Sequence, residues 1–201
     1  MTIKFQYNKT ALQSLNKQLN IRLKALPTLK NKEAALRLEV KKAKDKTSDL
    51  EKKLKLKISS NNESLGLWNE YIPKLLTIST VKTAAKKIAG VSVPVMQEIL
   101  FHEEEFSLFD KPKWFPKGIE FLKELAIIVT EKEIFNRKMA LLDFARRKTT
   151  QKVNLYEKVQ IPDYEDAIRK IKRFLEDEEN LSKSAQKIVK KRQQKQKELV
   201  A

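Results

Sequence analysis

The chain has no cysteine, three glycines and six prolines among its 201 residues. The absence of cysteine excludes disulfide frameworks and thiolate metal sites. So few glycines and prolines disfavour a fold with many tight turns, such as a many-stranded barrel. No run of 18 uninterrupted apolar residues occurs, so no transmembrane helix is expected. Residues 1–9 lack the apolar core of a signal peptide, and a soluble cytoplasmic chain is therefore the default expectation.

Motifs for nucleotide, cofactor or metal binding are also missing. There is no GxxxxGK[ST], no GxGxxG and no His/Cys cluster, so we expect neither cofactor nor metal. His102 precedes Glu103–Glu105 and could hold a metal, but an acidic run of this kind is usually a solvated turn. Asp163, Glu165 and Asp166 could form an acid/base pair, although a helix N-terminus already explains their charge.

What the chain does have is an excess of lysine, leucine and glutamate, the composition of long helices. Its net charge of +17 is unevenly distributed: +11 in residues 1–60, −1 in residues 61–120 and +7 in residues 121–201. This distribution divides the chain into an N-terminal coiled-coil helix, a central insert and a C-terminal coiled-coil helix with those same boundaries.

A seven-residue apolar pattern begins at Leu12. Its a and d positions are Leu12, Leu15, Leu19, Arg22, Leu26, Leu29, Glu33, Leu36, Val40, Ala43, Thr47, Leu50, Leu54 and Lys57. A stripe that is held this long predicts a left-handed coiled-coil seam. Pro27 interrupts it, so we expect a kink near Leu23–Pro27.

The central insert has different periodicity. Polar residues with a glycine, Ser59–Gly66, predict the end of the first helix, and Leu67–Ala89 resembles one or two short helices. The alternating valines of Val91–Val95, together with the segment from Phe106 to Leu108, predict a short β-hairpin. Pro94 would make its first strand an edge strand.

A second helical pattern starts near Ile119. Its two series are Phe121, Ile128, Phe135, Leu142, Thr149 and Tyr156, and Leu125, Lys132, Met139, Arg146, Val153, Gln160, Ala167, Phe174, Leu181 and Ile188. The second series keeps its phase past Pro162, whereas Ile171 and Ala185 continue the first one residue late, which predicts a local phase shift. Neither stripe can be buried alone. The predicted fold is therefore all-α: a long antiparallel two-helix coiled coil of the N- and C-terminal segments, with a small central insert of short helices and a β-hairpin.

The sequence leaves more than one interpretation open for two short segments. In "KVNLYEKVQIP", Asn154 either marks a bent, partly polar section where the helix pair changes profile, or fixes coiled-coil register. The basic run Lys187–Lys197 could bind phosphates, be a solvated helix end, or dock into an acidic protein cavity. Composition does not separate these three interpretations.

The segment "KVNLYEKVQIPDYEDAIRKIKRFLEDEE" resembles the D subunit of V/A-type rotary ATPases, which carries R-R-V-N-A-L-E followed by an I-P step. The matching residues are Val153, Asn154, Glu157, Ile161 and Pro162. Gln151 and Lys152 stand where two arginines are usual, and Leu155 and Tyr156 replace Ala-Leu. Upstream, "LPTLKNKEAAL" resembles the L-L-K-x-K-x-x-x-L pattern of the family's first helix, at Leu29, Lys30, Lys32 and Leu36.

This resemblance implies a non-catalytic central axle. The paired terminal helices would enter a hexamer of catalytic A and non-catalytic B subunits. The other end would bind the small F subunit and a C- or d-type subunit above the membrane rotor ring, with no nucleic acid partner and no insertion into the membrane. The candidate partner-binding residues are Leu29, Lys30, Lys32, Arg146, Arg147, Lys152, Asn154, Glu157, Ile161, Pro162, Lys190, Lys191 and Arg192.

A hypothesis from another class is a basic coiled-coil protein that binds nucleic acid or acts as a scaffold. Its charge and helical pattern would look the same. Neighbouring genes for ATPase subunits would favour the axle.

Overall fold

The computed structural model describes residues 4–71, 75–104 and 112–200. Its elements are α1 (Lys9–Ser60), a 3₁₀ helix (Asn62–Glu70), β1 (Leu76–Ile88), β2 (Val91–Glu103), α2 (Phe115–Leu155), a π-helical turn (Tyr156–Gln160) and α3 (Ile161–Val200). The chain forms two compact units: unit 1 comprises Met1–Asn31 and Thr150–Ala201, and unit 2 comprises Lys32–Thr149. Within the described ranges, no helix is both long and apolar enough to cross a membrane.

The chain is mostly helical but not all-α. The prediction of short helices over Leu67–Ala89 was wrong, because most of that segment is the 13-residue strand β1. Threonine, isoleucine and valine dominate the first half of β1, and these β-branched residues favour a pleated strand. A β-hairpin was predicted correctly, but its first strand lies upstream of Val91. The proposed partner segment from Phe106 to Leu108 lies outside the described residues.

The hairpin closes through the two-residue loop Ala89–Gly90, and both residues have positive φ values of 48° and 78°. Two positive φ values in a two-residue loop define a type I′ turn, whose twist matches that of the strands. The antiparallel register shifts between Ile78 and Thr80 and between Lys82 and Thr83. Pro94 lies in β2 opposite Ala85, as the edge-strand prediction requires in a sheet with two described strands.

The burial of α1 follows the seven-residue pattern along its whole length. Every a and d position from Leu12 to Lys57 is buried or half-buried. The helix starts after Asn8, whose Oδ1 accepts a hydrogen bond of 2.6 Å from the N–H of Ala11, as in an N-cap. The helix continues through Pro27, and the kink expected there stays a prediction.

The core of unit 2 joins both helices to the hairpin. Leu36 of α1, Val93 of β2 and Leu142 of α2 form one cluster, and each is at most 1% exposed. Half-buried residues of the hairpin tip, Ile88 and Val91, pack against this cluster. A Cβ on Gly90 would lie 3.5 Å from the Lys32 ammonium, so the hairpin turn is close to α1.

In unit 1, α1 and α3 run antiparallel. Three cross-helix pairs show this direction, because the α1 number rises as its partner's number falls: Gln18 with Tyr164, Arg22 with Gln160, and Lys30 with Glu157. The buried cluster consists of Leu15, Tyr164, Ala167, Ile168 and Ile171. Phe5, Leu12, Leu19 and Leu175 are half-buried against it.

The phase shift predicted near Pro162 corresponds to the π-helical turn Tyr156–Gln160, in which the Ile161 N–H bonds to the Tyr156 carbonyl five residues back. A π turn inserts one extra residue into a helix. Accordingly, Val153 and Tyr156 are followed in the buried stripe by Ile161 and Tyr164, eight residues later. The second series keeps its predicted phase at Ala167, which is 3% exposed. It does not keep it further on, because Phe174 is exposed and Leu175 is half-buried, so the predicted continuation through Phe174 was wrong.

Beyond Leu175 the burial of α3 ends. We call residues 176–196 the C-terminal segment, and every one of its side chains is exposed. Its apolar residues include Leu181, which is 73% exposed, as well as Ile188 and Val189. Leu181 and Ile188 continue the predicted apolar series without a covering element from the described residues.

Candidate partner-binding surfaces

Two of the predicted site residues contact each other. Lys30 of α1 donates a 2.7 Å hydrogen bond to Oε1 of Glu157, and both side chains are about half exposed. The pair lies where the π-helical turn faces α1. An exposed ion pair of this kind contributes about 0.2–1 kcal/mol. Its consequence is mainly positional, because it ties the turn to one place on α1.

Arg22 is the centre of a second set of cross-helix contacts in unit 1. Its Nε donates to Oε1 of Gln160 at 2.7 Å. Its guanidinium carbon lies 4.4 Å from the ring centroid of Tyr164 and 6.0 Å from that of Tyr156. The Tyr164 hydroxyl in turn donates to Oε1 of Gln18 at 2.6 Å. A half-buried arginine therefore joins the π-helical turn, the first turn of α3 and α1.

The C-terminal segment carries a basic and apolar surface. After the acidic run 176–179, its charged residues are all basic: Lys183, Lys187, Lys190, Lys191, Arg192 and Lys195. Lys183 donates to Glu179 at 2.7 Å, and this hydrogen bond lowers the pKa of the Glu179 carboxyl. An exposed helix with an apolar stripe between basic residues suits docking into an acidic or mixed protein surface.

In unit 2, Asp143 organises the two predicted arginines of α2. Arg146 donates from Nε and Nη2 to Oδ1 at 2.9 and 2.7 Å, and Arg147 donates to Oδ2 at 2.7 Å. The hydrogen bonds from Arg146, followed by the one from Arg147, hold the pKa of the Asp143 carboxyl below its ordinary value of 3.8. Asp143 is therefore ionised at neutral pH and fixes both guanidinium groups along one face of α2.

Next to these arginines lies an apolar groove that the sequence patterns did not single out. It has a volume of about 390 Å³ and is lined by Val40, Met139, Ala140, Asp143, Phe144 and Arg147. Phe144 is 60% exposed, and the Lys148 ammonium lies 4.4 Å from its ring centroid. Phe144 therefore adds an exposed aromatic ring to the apolar lining of this groove.

Comparison with known proteins gives one family throughout. A family model described as the D subunit of ATP synthase matches residues 11–191. The chain belongs to the family of ATP synthase D subunits. It is similar to the V-type ATP synthase D subunit of Borreliella burgdorferi, with 33% identity over 191 residues, covering 93% of this chain and 94% of the relative. Similar relatives with the same name include those of Chlamydia felis (31% identical, 86% of each chain) and Chlamydia trachomatis (26% identical, 98% of this chain and 100% of the relative).

The candidate partner-binding residues are divided between the two units. In unit 1, the structure brings Lys30 and Glu157 together; Leu29 is half-buried and Ile161 is buried in the helix pair. The other predicted residues of unit 1 are exposed: Lys152, Asn154, Pro162, Lys190, Lys191 and Arg192. Lys32, Arg146 and Arg147 belong to unit 2. Because Asn154 is exposed, it lies outside the buried stripe.

The clearest residues that sequence reasoning missed are Arg22, Gln160 and Tyr164. A signal for the first two was present, because Arg22 and Gln160 are polar members of otherwise apolar stripes. A polar residue in one stripe needs a polar partner in the other. Tyr164 enters the buried stripe of α3 only because the π-helical turn shifts that stripe by one residue. Without knowledge of this shift, Tyr164 could not be placed beside Arg22 and Gln160.

Proposed function

We propose that this chain is the central rotor-axle subunit of a V/A-type ATP synthase. In this role it couples ATP hydrolysis or synthesis in the A/B hexamer to ion translocation by the membrane ring. It takes no part in the chemistry itself and is peripheral to the membrane on the cytoplasmic side. Membership of the family of ATP synthase D subunits carries this proposal.

The A and B subunits are the partners that we assign to the C-terminal segment. Twenty-one consecutive residues, 176–196, are exposed, although Leu181, Ile188 and Val189 form an apolar stripe along them. The surrounding basic side chains give contacts that exchange readily with acidic groups. Such contacts suit a surface that must move past repeated subunits, because a deeply bound state would stop rotation.

The small F subunit and a C- or d-type subunit complete the proposed set of partners. For the F subunit, we favour the groove beside Phe144. Its apolar lining offers a hydrophobic centre, and Arg147 and Asp143 provide a charged rim, the arrangement typical of protein interfaces. For the C- or d-type subunit, the proposal depends on the family alone.

Removal of residues 187–201 tests the role of the C-terminal segment. We expect weaker binding to a reconstituted A/B hexamer and lower coupled ATPase activity, with unchanged binding to the F subunit, measured by size-exclusion chromatography and pull-down. A variant with Lys190, Lys191 and Arg192 changed to Gln separates charge from length, and its binding should fall less steeply as salt is raised. If the truncated chain lost the F subunit but still bound the hexamer, the assignment of partners would be reversed.

A further inference from the structure

The backbone of the α2–α3 helix has one point of weakness, at Tyr156–Pro162. The π-helical turn there uses the i to i−5 bond between Ile161 and Tyr156 instead of the usual i to i−4 bond. Pro162 follows at once and has no N–H to donate, and its ring excludes the carbonyl four residues back, that of Lys158. The π turn and the proline therefore interrupt the α-helical hydrogen-bond ladder over adjacent residues.

Side chains from α1 contact this same point. Lys30 binds Glu157, and Arg22 binds Gln160, so two residues of the π-helical turn are hydrogen-bonded to α1 at 2.7 Å. A third residue of the turn, Tyr156, has its ring within 6.0 Å of the Arg22 guanidinium. Three of the five residues of the turn are therefore in contact with two basic side chains of α1.

We infer that Tyr156–Pro162 is a latched joint: a weak point in the helix whose conformation is held by Arg22 and Lys30 as well as by its own i to i−5 backbone hydrogen bonding. With the latch closed, α3 keeps the phase that places Ile161, Tyr164 and Ile168 against α1. With the latch open, the π-helical turn can rearrange and α3 can rotate about its axis by part of a turn. This inference concerns the chain itself, and only its effect on coupling rests on the proposed function.

Arg22→Ala is the variant that opens the latch, and Lys24→Ala is its matched control. Lys24 is exposed, lies on the same helix two residues away and also loses a long basic side chain when changed to Ala. Local opening is measured on the isolated full-length chain by hydrogen–deuterium exchange of peptides that cover residues 155–165 and, for comparison, residues 166–176.

We expect Arg22→Ala to speed amide exchange in residues 158–163 by about tenfold, the size expected when a charge-assisted hydrogen bond is lost. Exchange in residues 166–176 should change much less, and Lys24→Ala should match the unchanged chain in both regions. Equal acceleration in both regions, or none in residues 158–163, would overturn the inference, because Arg22 would then be an ordinary packing residue.

Pro162→Ala provides a second, independent test. It restores a backbone donor, so it should slow exchange in residues 158–163 and reduce the effect of Arg22→Ala from about tenfold to below about threefold. If Arg22→Ala had the same effect in the Pro162→Ala background as in the unchanged chain, the proline would not weaken the joint and the inference would fail.

The consequence for coupling is measured in the reconstituted complex. Arg22→Ala should lower the number of ions moved per ATP hydrolysed while the chain stays bound to its partners. If the unchanged chain bound neither the hexamer nor the F subunit, the proposed function would be refuted. The amide-exchange results would still test the latched joint, because they are measured on the isolated chain.

Discussion

The two units bury the apolar faces of their helices in different ways. In unit 2, the β-hairpin adds a third element to α1 and α2, and Leu36, Val93 and Leu142 become almost completely inaccessible to solvent. In unit 1, the core comes from α1, α3 and Phe5, and Ile171 is the member of its buried cluster that reaches 0% exposure. Two helices share only one face. Unit 1 therefore combines a narrow apolar stripe with polar contacts from Arg22 and Lys30, whereas unit 2 depends on apolar packing between three elements.

Leu142→Ala should have the largest effect, because it leaves a cavity between three elements that cannot close easily. We expect the free energy of unfolding to fall by about 4 kcal/mol, near the upper end for such a change. Chemical denaturation followed by circular dichroism measures it. The neighbouring Leu141 is 44% exposed, so Leu141→Ala should cost less than about 1 kcal/mol. Similar costs for both would mean that the core of unit 2 is placed wrongly.

Ile171→Ala tests the two-helix core of unit 1. Ile171 is fully buried, but its neighbours on two helices can move together, so we expect a loss of about 2–3 kcal/mol, smaller than at Leu142. Ile188→Ala on the same helix should leave thermal stability unchanged, because Ile188 is 53% exposed. A loss at Ile188 comparable to that at Ile171 would show that the C-terminal segment is covered in the isolated chain.

Ala89→Asn should stabilise the β-hairpin, the element that is present in unit 2 and not in the described part of unit 1. Ala89 has a φ of 48°, a left-handed conformation that costs an alanine about 1 kcal/mol and that asparagine adopts more readily. The expected gain is about 0.5–1 kcal/mol, detected as slower amide exchange in β1 and β2 without change in unit 1. Slower exchange throughout both units would show that they do not open separately.

Asp143→Asn should have the smallest effect and should depend on pH. The folded pKa of Asp143 is depressed below 3.8, so its ion pairs stabilise the fold above that value, and this contribution is lost as pH falls through the folded pKa. The variant should therefore be less stable than the unchanged chain by under about 1 kcal/mol at pH 7, and this difference should shrink as pH falls through the folded pKa. Asp45→Asn, at an exposed position of α1, is the control for helix propensity. A difference in stability that did not shrink as the pH was lowered would have to come from packing.

The sequence was sufficient to predict the parts of the fold that follow from the regular spacing of apolar residues. The heptad positions of α1 predicted its buried face from Leu12 to Lys57, because a helix that packs through one face buries every third or fourth residue. The failure to continue the first stripe at Asp163 likewise indicated the extra residue that the π-helical turn contains. The spacing of apolar residues could not predict β1. Its two register shifts break the alternation of apolar and polar residues that a regular strand shows.

The candidate surfaces were less accessible to sequence reasoning. Arg22 and Gln160 are 138 residues apart, and only the fold matches them. Phe144 falls between the two predicted series of α2, so its exposure gave no periodic signal. The basic residues of the C-terminal segment were visible in the sequence. Their common exposure with Leu181 and Ile188 was not, because the apolar series predicted burial there.

The hairpin of unit 2 also has a bearing on self-association. Two described strands of 13 residues each leave two outer edges, and a long flat edge is a template on which a strand of another molecule can add. The two register shifts twist these edges, Pro94 removes a donor from β2, and Lys82, Lys86 and Lys87 place like charges along β1. These features make the edge-to-edge addition of a strand from another molecule unfavourable.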